Sequence, residues 1–346
     1  MPANIAHMLI AHKALKNLQE GKDKKLAEFA AMLDSGSRRE NYQAYMNLGS
    51  LGPDLYYYTN LAKGVKDILW DGYVQAKGVT PWAYHLHSSK PNEFPLKLIE
   101  IMFSDVVRQG RRVKLDVDDM RKLAYIAGHL CHIAADQIIH PLVNKIAGPY
   151  YRDGRNRKTH REAEIHQDYF LYEEVYRLEK KSGPMYEFFE QDFRGWVDCV
   201  RGPTLENTKD WFRYFLQRGF IETYGTAPTE DEIEDAVDGL LLSLRASRRV
   251  GPYKKANKEY KRRGRNGSNF QKYVRRAKYL DYYKEAVELT GVYMSALYEA
   301  YRLLKEGKDF VDKSKWFLEV VSGADLSCPL EEDILDKAKA VLKKDK

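Results

Sequence analysis

The chain has 346 residues and a net charge of +7, with hydrophobic residues at 44% and aromatics at 12%, enough to bury a large core in one domain or two. No apolar run approaches the roughly 18 residues of a membrane span. The start, Met-Pro-Ala-Asn-Ile-Ala-His, lacks the features of a signal peptide, and three scattered cysteines (Cys131, Cys199, Cys328) argue against a disulfide framework, so a reducing, cytoplasmic setting is expected.

Apolar residues recur at helical period nearly throughout and no convincing alternating strand is found, which predicts an all-α fold. Asn4 is placed to cap a first helix running to about Leu18, with Ile5, Met8, Leu9 and His12 on one side, and a second is expected from Asp23 to Leu33. Asn47 to Asp54 reads as a loop whose Gly-Pro-Asp fixes the backbone where the Asp54 carboxylate projects. By itself Asp54 is equally a turn or cap residue. Tyr56, Tyr57 and Tyr58 follow, lining a pocket or the core.

Trp82 to His87 leads into a helix from about Phe94 to Arg108. His85 and His87, at i and i+2, are two ligands on an extended segment, or one ligand and one bystander. A long helix is expected from about Asp116 to the Pro141 region, where the proline should kink or end it. Its polar stripe consists of His129, His132, Asp136 and His140, separated by Leu130, Ile133, Ile138 and Ile139. One histidine on an apolar face is ordinarily a satisfied core residue. Four ligand-type side chains in register are costly to bury without compensation, and a cation such as zinc supplies it.

Tyr150 to Lys158 is a basic loop opening the next helix, where Thr159 and Glu162 match a capping box. His160 and Glu164 stand at i and i+4, a spacing at which two side chains grip one ion, and Asp168 continues that stripe; a solvated first turn is the bland reading. All nine histidines lie before residue 167, which puts the chemistry in the first half.

Beyond Gly183 more helices are expected, one opened by a capping box at Thr229 and Glu232. Tyr253 to Tyr279 carries eleven Lys or Arg interleaved with Tyr253, Tyr260, Phe270, Tyr273 and Tyr279. Such a segment suits nucleic acid or an anionic surface, or is a solvated loop feeding a long helix from about Phe270 to Glu306. A terminal helix fraying into lysines closes the chain. The organisation expected is a catalytic domain over residues 1–200 and a helical extension over 201–346.

In order along the first half, an early His, the Gly-Pro-Asp54 loop, the Trp82-to-His87 segment, His132-x-x-x-Asp136 with His140 following, and His160-x-x-x-Glu164 resemble the zinc-dependent phospholipase C family, whose fold is shared by secreted fungal single-strand nucleases. The resemblance covers about residues 1–185 and implies a multi-helix bundle with two or three zinc ions that hydrolyses phosphodiesters. Carried over by position, Asp54, His87, His132 and Asp136 hold one zinc, and His140, His160 and Glu164 a second. A third would use the chain's amino terminus, an early histidine (His7, with His12 as fallback) and the shared Asp136. The chain departs from the pattern in beginning Met-Pro rather than with tryptophan, and in a shorter spacing from Asp136 to His140.

The reaction implied is in-line attack on phosphorus by a hydroxide held between two zincs, with Asp54 orienting the water or taking its proton, and a Lys or Arg of 150–161 or a third cation neutralising the phosphate. Phospholipid head groups and nucleic acid or nucleotides are the candidate substrates. The non-enzymatic alternative is a metal-stapled helical scaffold whose basic arm binds a partner. A di-iron oxidase is disfavoured because paired Glu-x-x-His repeats are missing.

Overall fold

The computed structural model describes residues 4–35, 40–59, 81–108, 115–148, 153–177, 210–249, 252–326 and 333–344. Every regular element among them is helical: α1 (Asn4–Gln19), α2 (Lys24–Leu33), α3 (Tyr42–Leu55), α4 (Pro81–Ser88), α5 (Glu93–Arg108), α6 (Val117–Ala147), α7 (Gly154–Leu171), α8 (Asp210–Tyr224), α9 (Glu230–Arg249), α10 (Pro252–Arg263), α11 (Tyr279–Lys305), α12 (Val311–Val320) and α13 (Ile334–Lys344), with short 3₁₀ and π turns between some of them. None of these helices is long and apolar enough to cross a membrane. Met1-Pro2, the loop residues 150–152, Gly183, Cys199, Cys328 and the junction at 200 and 201 lie outside the described residues.

The fold is built around α6. Asp116 caps it by accepting the amides of Asp118 and Asp119, while the Asp119 carboxylate accepts the amide of Asp116. From Leu123 to His140 every residue is buried, because α3 covers one flank of α6 and α11 another. The helix does not end at Pro141. It continues to Ala147, with Leu142, Val143 and Asn144 still buried, and stops at Gly148, whose φ of 83° only glycine adopts freely. Packing on both flanks outweighs the roughly 3 kcal/mol an internal proline costs.

The same competition decides α3. Gly-Pro-Asp54 is not a loop: Pro53 lies inside a helix that runs to Leu55 and is buried along almost its whole length. α3 and α6 cross where each carries a glycine. A Cβ on Gly49 would stand 2.0 Å from the Tyr125 carbonyl oxygen, and one on Gly128 would stand 2.0 Å from that of Met46. Only glycine permits this approach, and the approach brings the Ser50 carbonyl to His132.

Other starts and stops separate sequence signals that act from those that do not. Asp23 caps α2 and the Thr229–Glu232 box caps α9, as their spacing predicts. The Thr159–Glu162 box does not open α7, because Asp153 caps it six residues earlier by accepting the Asn156 amide. The basic stretch from Gly154 to Lys158 is therefore helix rather than loop. Residues of both halves of the chain share one hydrophobic core, from Ile5 and Leu9 of α1 to Tyr293 and Leu297 of α11 and Phe317 of α12.

Candidate metal centre

Along α6, His132, Asp136 and His140 follow one another at i+4 and so form a stripe about 80° wide, rising one turn at a time. Four imidazoles converge on Asp136: the Nε2 atoms of His7 and His140 lie 3.3 Å from Oδ1, and those of His132 and His87 lie 3.2 and 3.6 Å from Oδ2. Asp54, at the end of α3, places Oδ1 3.1 Å from His87 Nε2 and Oδ2 3.9 Å from His7 Nε2. On the other side of His140, Glu164 Oε1 is 3.6 Å from its Nε2 and 2.9 Å from that of His160.

The structure thus brings together all eight of His7, Asp54, His87, His132, Asp136, His140, His160 and Glu164. They form three groups, Asp54–His87–His132 and His7–His132–Asp136, which share His132, and His140–His160–Glu164; the donor atoms within each group lie within 4.8 Å of one another. All are buried.

Three rings are held in a defined tautomer. His132 Nδ1 is 2.9 Å from the Ser50 carbonyl, His87 Nδ1 is 2.7 Å from that of Ala83, and His140 Nδ1 is 2.7 Å from that of Leu326. A carbonyl can only accept, so each Nδ1 carries a hydrogen, and each Nε2 presents a lone pair to the centre when its ring is neutral. His87 Nε2 and His132 Nε2 are 3.3 Å apart, so on neutral rings two lone pairs face each other. Both oxygens of Asp54, Oδ2 of Asp136 and Oε2 of Glu164 are buried with no hydrogen-bond donor. Acceptors facing acceptors in a buried site are repulsive, by several kcal/mol for unpaired carboxylates, unless positive charge stands between them. Imidazole nitrogen with carboxylate oxygen is the donor set zinc takes, so these residues fit that ion.

Without a cation, protons take up part of that role. Burial pulls His140 down, but Asp136 and Glu164 outweigh it and hold its pKa at about 9. Burial likewise opposes charge on His132, which Asp136 and Asp54 nevertheless push upward. Burial raises Asp136 and Glu164, but His140 and His132 hold the first, and His160 with His140 the second, well below the usual carboxylate range. His7 is lowered to about 4 by burial and by His132, on whose ring it stacks at 4.2 Å.

The remaining sequence candidates go elsewhere. His85 and His87 sit on a helix, α4, rather than an extended segment, so they diverge by about 200° and only one can face inward. His87 does; His85 stacks on Tyr224. His12 contacts Asn47 and Asp34 instead of the centre. His129, one turn before His132, is fully buried against Phe94 and Tyr125 with neither ring nitrogen hydrogen-bonded, and burial keeps it neutral. It is not part of the centre: among the described residues no carboxylate pairs with it, and aromatic rings stand opposite that turn of the helix. Tyr56, Tyr57 and Tyr58 are buried, Tyr57 with its ring 5.3 Å from that of His87.

Asp168 does not extend the His160–Glu164 stripe. Its carboxylate accepts the amides of Ile5 and Ala6, at 3.2 and 2.7 Å, and the Tyr253 hydroxyl at 2.5 Å, and so caps α1 from a distance and sets where His7 enters.

A support that sequence reasoning missed comes from residues 321–326. Besides receiving His140 at its carbonyl, Leu326 donates its amide to the His87 carbonyl at 2.9 Å. Gln137 donates to the Ser322 carbonyl at 2.8 Å, Asn92 to that of Val321 at 2.7 Å, and the Tyr293 hydroxyl joins Gln137 Oε1 to the Ser322 amide. The only hint in the sequence was polar residues in apolar surroundings, Gln137 inside α6 and Asn92 just before α5.

A family model described as zinc dependent phospholipase C matches residues 6–229, more than half of the chain. No curated protein and no solved structure matches it. The matched span opens one residue before His7 and closes well past Glu164, so every residue of the clustered centre lies within it, and the chain belongs to the zinc-dependent phospholipase C family.

Proposed function

We propose that this protein is a zinc-dependent phosphodiester hydrolase acting on the head-group phosphodiester of a phospholipid. The observation that carries the reading is the pair of Nε2 atoms of His87 and His132, 3.3 Å apart and bordered by carboxylate oxygens without a donor, both of Asp54 and Oδ2 of Asp136. The family match supports zinc as the ion and a phospholipid as the substrate.

Asp54, His87 and His132 would hold one zinc, His140, His160 and Glu164 a second, and His7 with His132 and Asp136 a third where three are bound. Zinc there supplies a Lewis acid and brings the pKa of a coordinated water to about 7. The chain's own residues do the rest. Asp136 lies between the groups and ties their geometry together, and the carbonyls of Ser50, Ala83 and Leu326 keep three imidazoles aimed inward. Asp54 turns Oδ1 to His87, which leaves Oδ2 to orient a water or take its proton. Burial excludes bulk water and strengthens each of these electrostatic contacts.

The test removes metal with a chelator, restores zinc, and measures hydrolysis of short-chain phosphatidylcholine, a nitrophenyl phosphodiester and a single-stranded oligonucleotide. Activity lost with the metal, regained with zinc and greatest on the phospholipid is the expected result. Faster cleavage of the oligonucleotide would reassign the substrate. A zinc-loaded protein that cleaves none of the three would overturn the enzymatic reading in favour of a metal-stapled scaffold.

A further inference from the structure

Tyr253 to Tyr279 contains eleven Lys or Arg and one acid, Glu259, so its positive charge exceeds the +7 of the whole chain and the remainder is net acidic. The structure sorts these residues by type. The aromatics are engaged from within, Phe270, Tyr273 and Tyr279 buried and Tyr253 and Tyr260 half-buried: Tyr253 donates to Asp168, Tyr260 to Glu174 while packing on Tyr169 and Phe270, Tyr273 to Glu162, and Phe270 packs on His166. The acid is used internally too, as Glu259 accepts the amide and side chain of Asn269 at 2.9 and 3.0 Å.

The charge that remains outside is uniformly cationic. Lys254, Lys255, Lys258, Lys261, Arg262 and Arg263 of α10 are exposed, and Arg265, Lys272, Arg275, Arg276 and Lys278 continue the surface beyond it. Among the described residues none of the eleven forms an ion pair with a carboxylate; Lys272 lies over the ring of Tyr273. Elsewhere some surface charges are paired, as in Arg302 with Glu299 and Glu306 or Lys90 with Glu93. What sets the segment apart is the density of its cations, eleven in 27 residues, with no carboxylate paired to any of them among the described residues.

We propose that this face docks the protein on an anionic lipid bilayer. Density of unpaired Lys and Arg is what a negatively charged membrane attracts. Single-stranded nucleic acid would in addition need exposed rings on which bases stack, and here the rings are turned inward. The placement suits a lipid-directed enzyme. Tyr273 joins the returning end of the segment to Glu162 on α7, two residues from both His160 and Glu164, so the surface is anchored on the helix that carries part of the metal centre. The inference rests on the phospholipase reading for what docking serves, and not for whether docking occurs.

Co-flotation of the full chain with vesicles of phosphatidylcholine alone, and of phosphatidylcholine containing about one third phosphatidylserine, tests it without any catalytic readout. The wild type should float with the anionic vesicles and stay behind with the neutral ones. K254E/K258E/R262E should lower anionic partitioning by about a hundredfold, and the milder K254Q/K258Q/R262Q by less. K22E/K24E/K315E, an equal charge change outside the segment, should leave partitioning within about twofold. Hydrolysis of a soluble nitrophenyl phosphodiester should be the same for all of them, so loss of docking and loss of chemistry read out separately. Equal partitioning of the segment variants and wild type would overturn the proposal. So would duplex or single-stranded nucleic acid held more tightly than anionic vesicles, with that preference lost in the segment variants.

Discussion

The two halves of the chain contribute to the metal centre in different currencies. Residues before 167 supply side chains, and all nine histidines are there. Residues 321–326, in a half with no histidine, supply main-chain groups: the Leu326 carbonyl fixes His140, the Leu326 amide holds the end of α4 behind His87, and the Ser322 carbonyl receives Gln137 from α6. The family match ends at residue 229, so this support comes from outside the matched span. A metal centre can thus have all its ligands in one region and part of its rigidity in another.

The comparison breaks most severely if the frame beneath the ligands is removed. Gly128→Ala places a Cβ against the Met46 carbonyl and should cost about 3 kcal/mol or more, or prevent folding, because α3 must move and takes Ser50 and Asp54 with it. Thermal unfolding would show it; a melting temperature within a degree or two of wild type would mean that the helices approach less closely than described.

Tyr293→Phe tests the second half directly. It removes the hydroxyl shared by Gln137 and Ser322 while leaving every ligand in place, and should weaken zinc binding about tenfold, the lower range for loss of a supporting contact. Competition with a chromogenic chelator measures this. Unchanged affinity would confine residues 321–326 to stability.

Asp168 offers a test in pH. Burial raises its pKa to about 7, although Tyr253 and the amides of Ala6 and Ile5 pull it down. In the unfolded chain an aspartate titrates near 4. Between about pH 4 and pH 7 the unfolded state has released its proton and the folded state has not, so wild-type stability falls with rising pH relative to Asp168→Asn, by a few kcal/mol, roughly, and is flat above. Unfolding of the two proteins across that range checks the sign. Wild-type stability that rises with pH relative to Asp168→Asn would contradict it.

Smaller again is the proton count on metal binding. His140 is held up at about 9 without metal, so near neutral pH zinc must displace its proton, and affinity should rise as the pH is raised toward 9. Calorimetry in buffers of different ionisation enthalpy should show net proton release. The smallest effect is expected for His129→Leu, which replaces an imidazole lacking hydrogen bonds in an apolar site; stability should change by less than about 1 kcal/mol and zinc content not at all.

That last residue shows where the sequence was legible. Helical spacing on α6 marked His132, Asp136 and His140, because side chains four residues apart must share a face. It also marked His129, since angular position says nothing about what stands opposite each turn. His129 meets Phe94, where His132 meets two carboxylates. The all-helical fold follows from apolar periodicity, but local rules make Pro53 a loop residue and Pro141 a kink or an end, because they carry no information on how deeply α3 and α6 are buried. His85 and His87 could not be separated until α4 was seen to be a helix. Asp168 was placed correctly on its helix and wrongly in its role, since its partners lie more than 160 residues away at Ile5 and Ala6. Leu326 was out of reach altogether, because every residue carries a carbonyl and nothing in the residue type marks the one that matters.

Elemental analysis of purified wild type beside an Asp136→Asn, His132→Ala double variant is the most direct test that these eight residues form a zinc centre. Two or three zinc per wild-type chain, lost in a variant that still folds by circular dichroism, is the result predicted. Wild-type protein with little zinc, or zinc that survives the double substitution, would contradict the account.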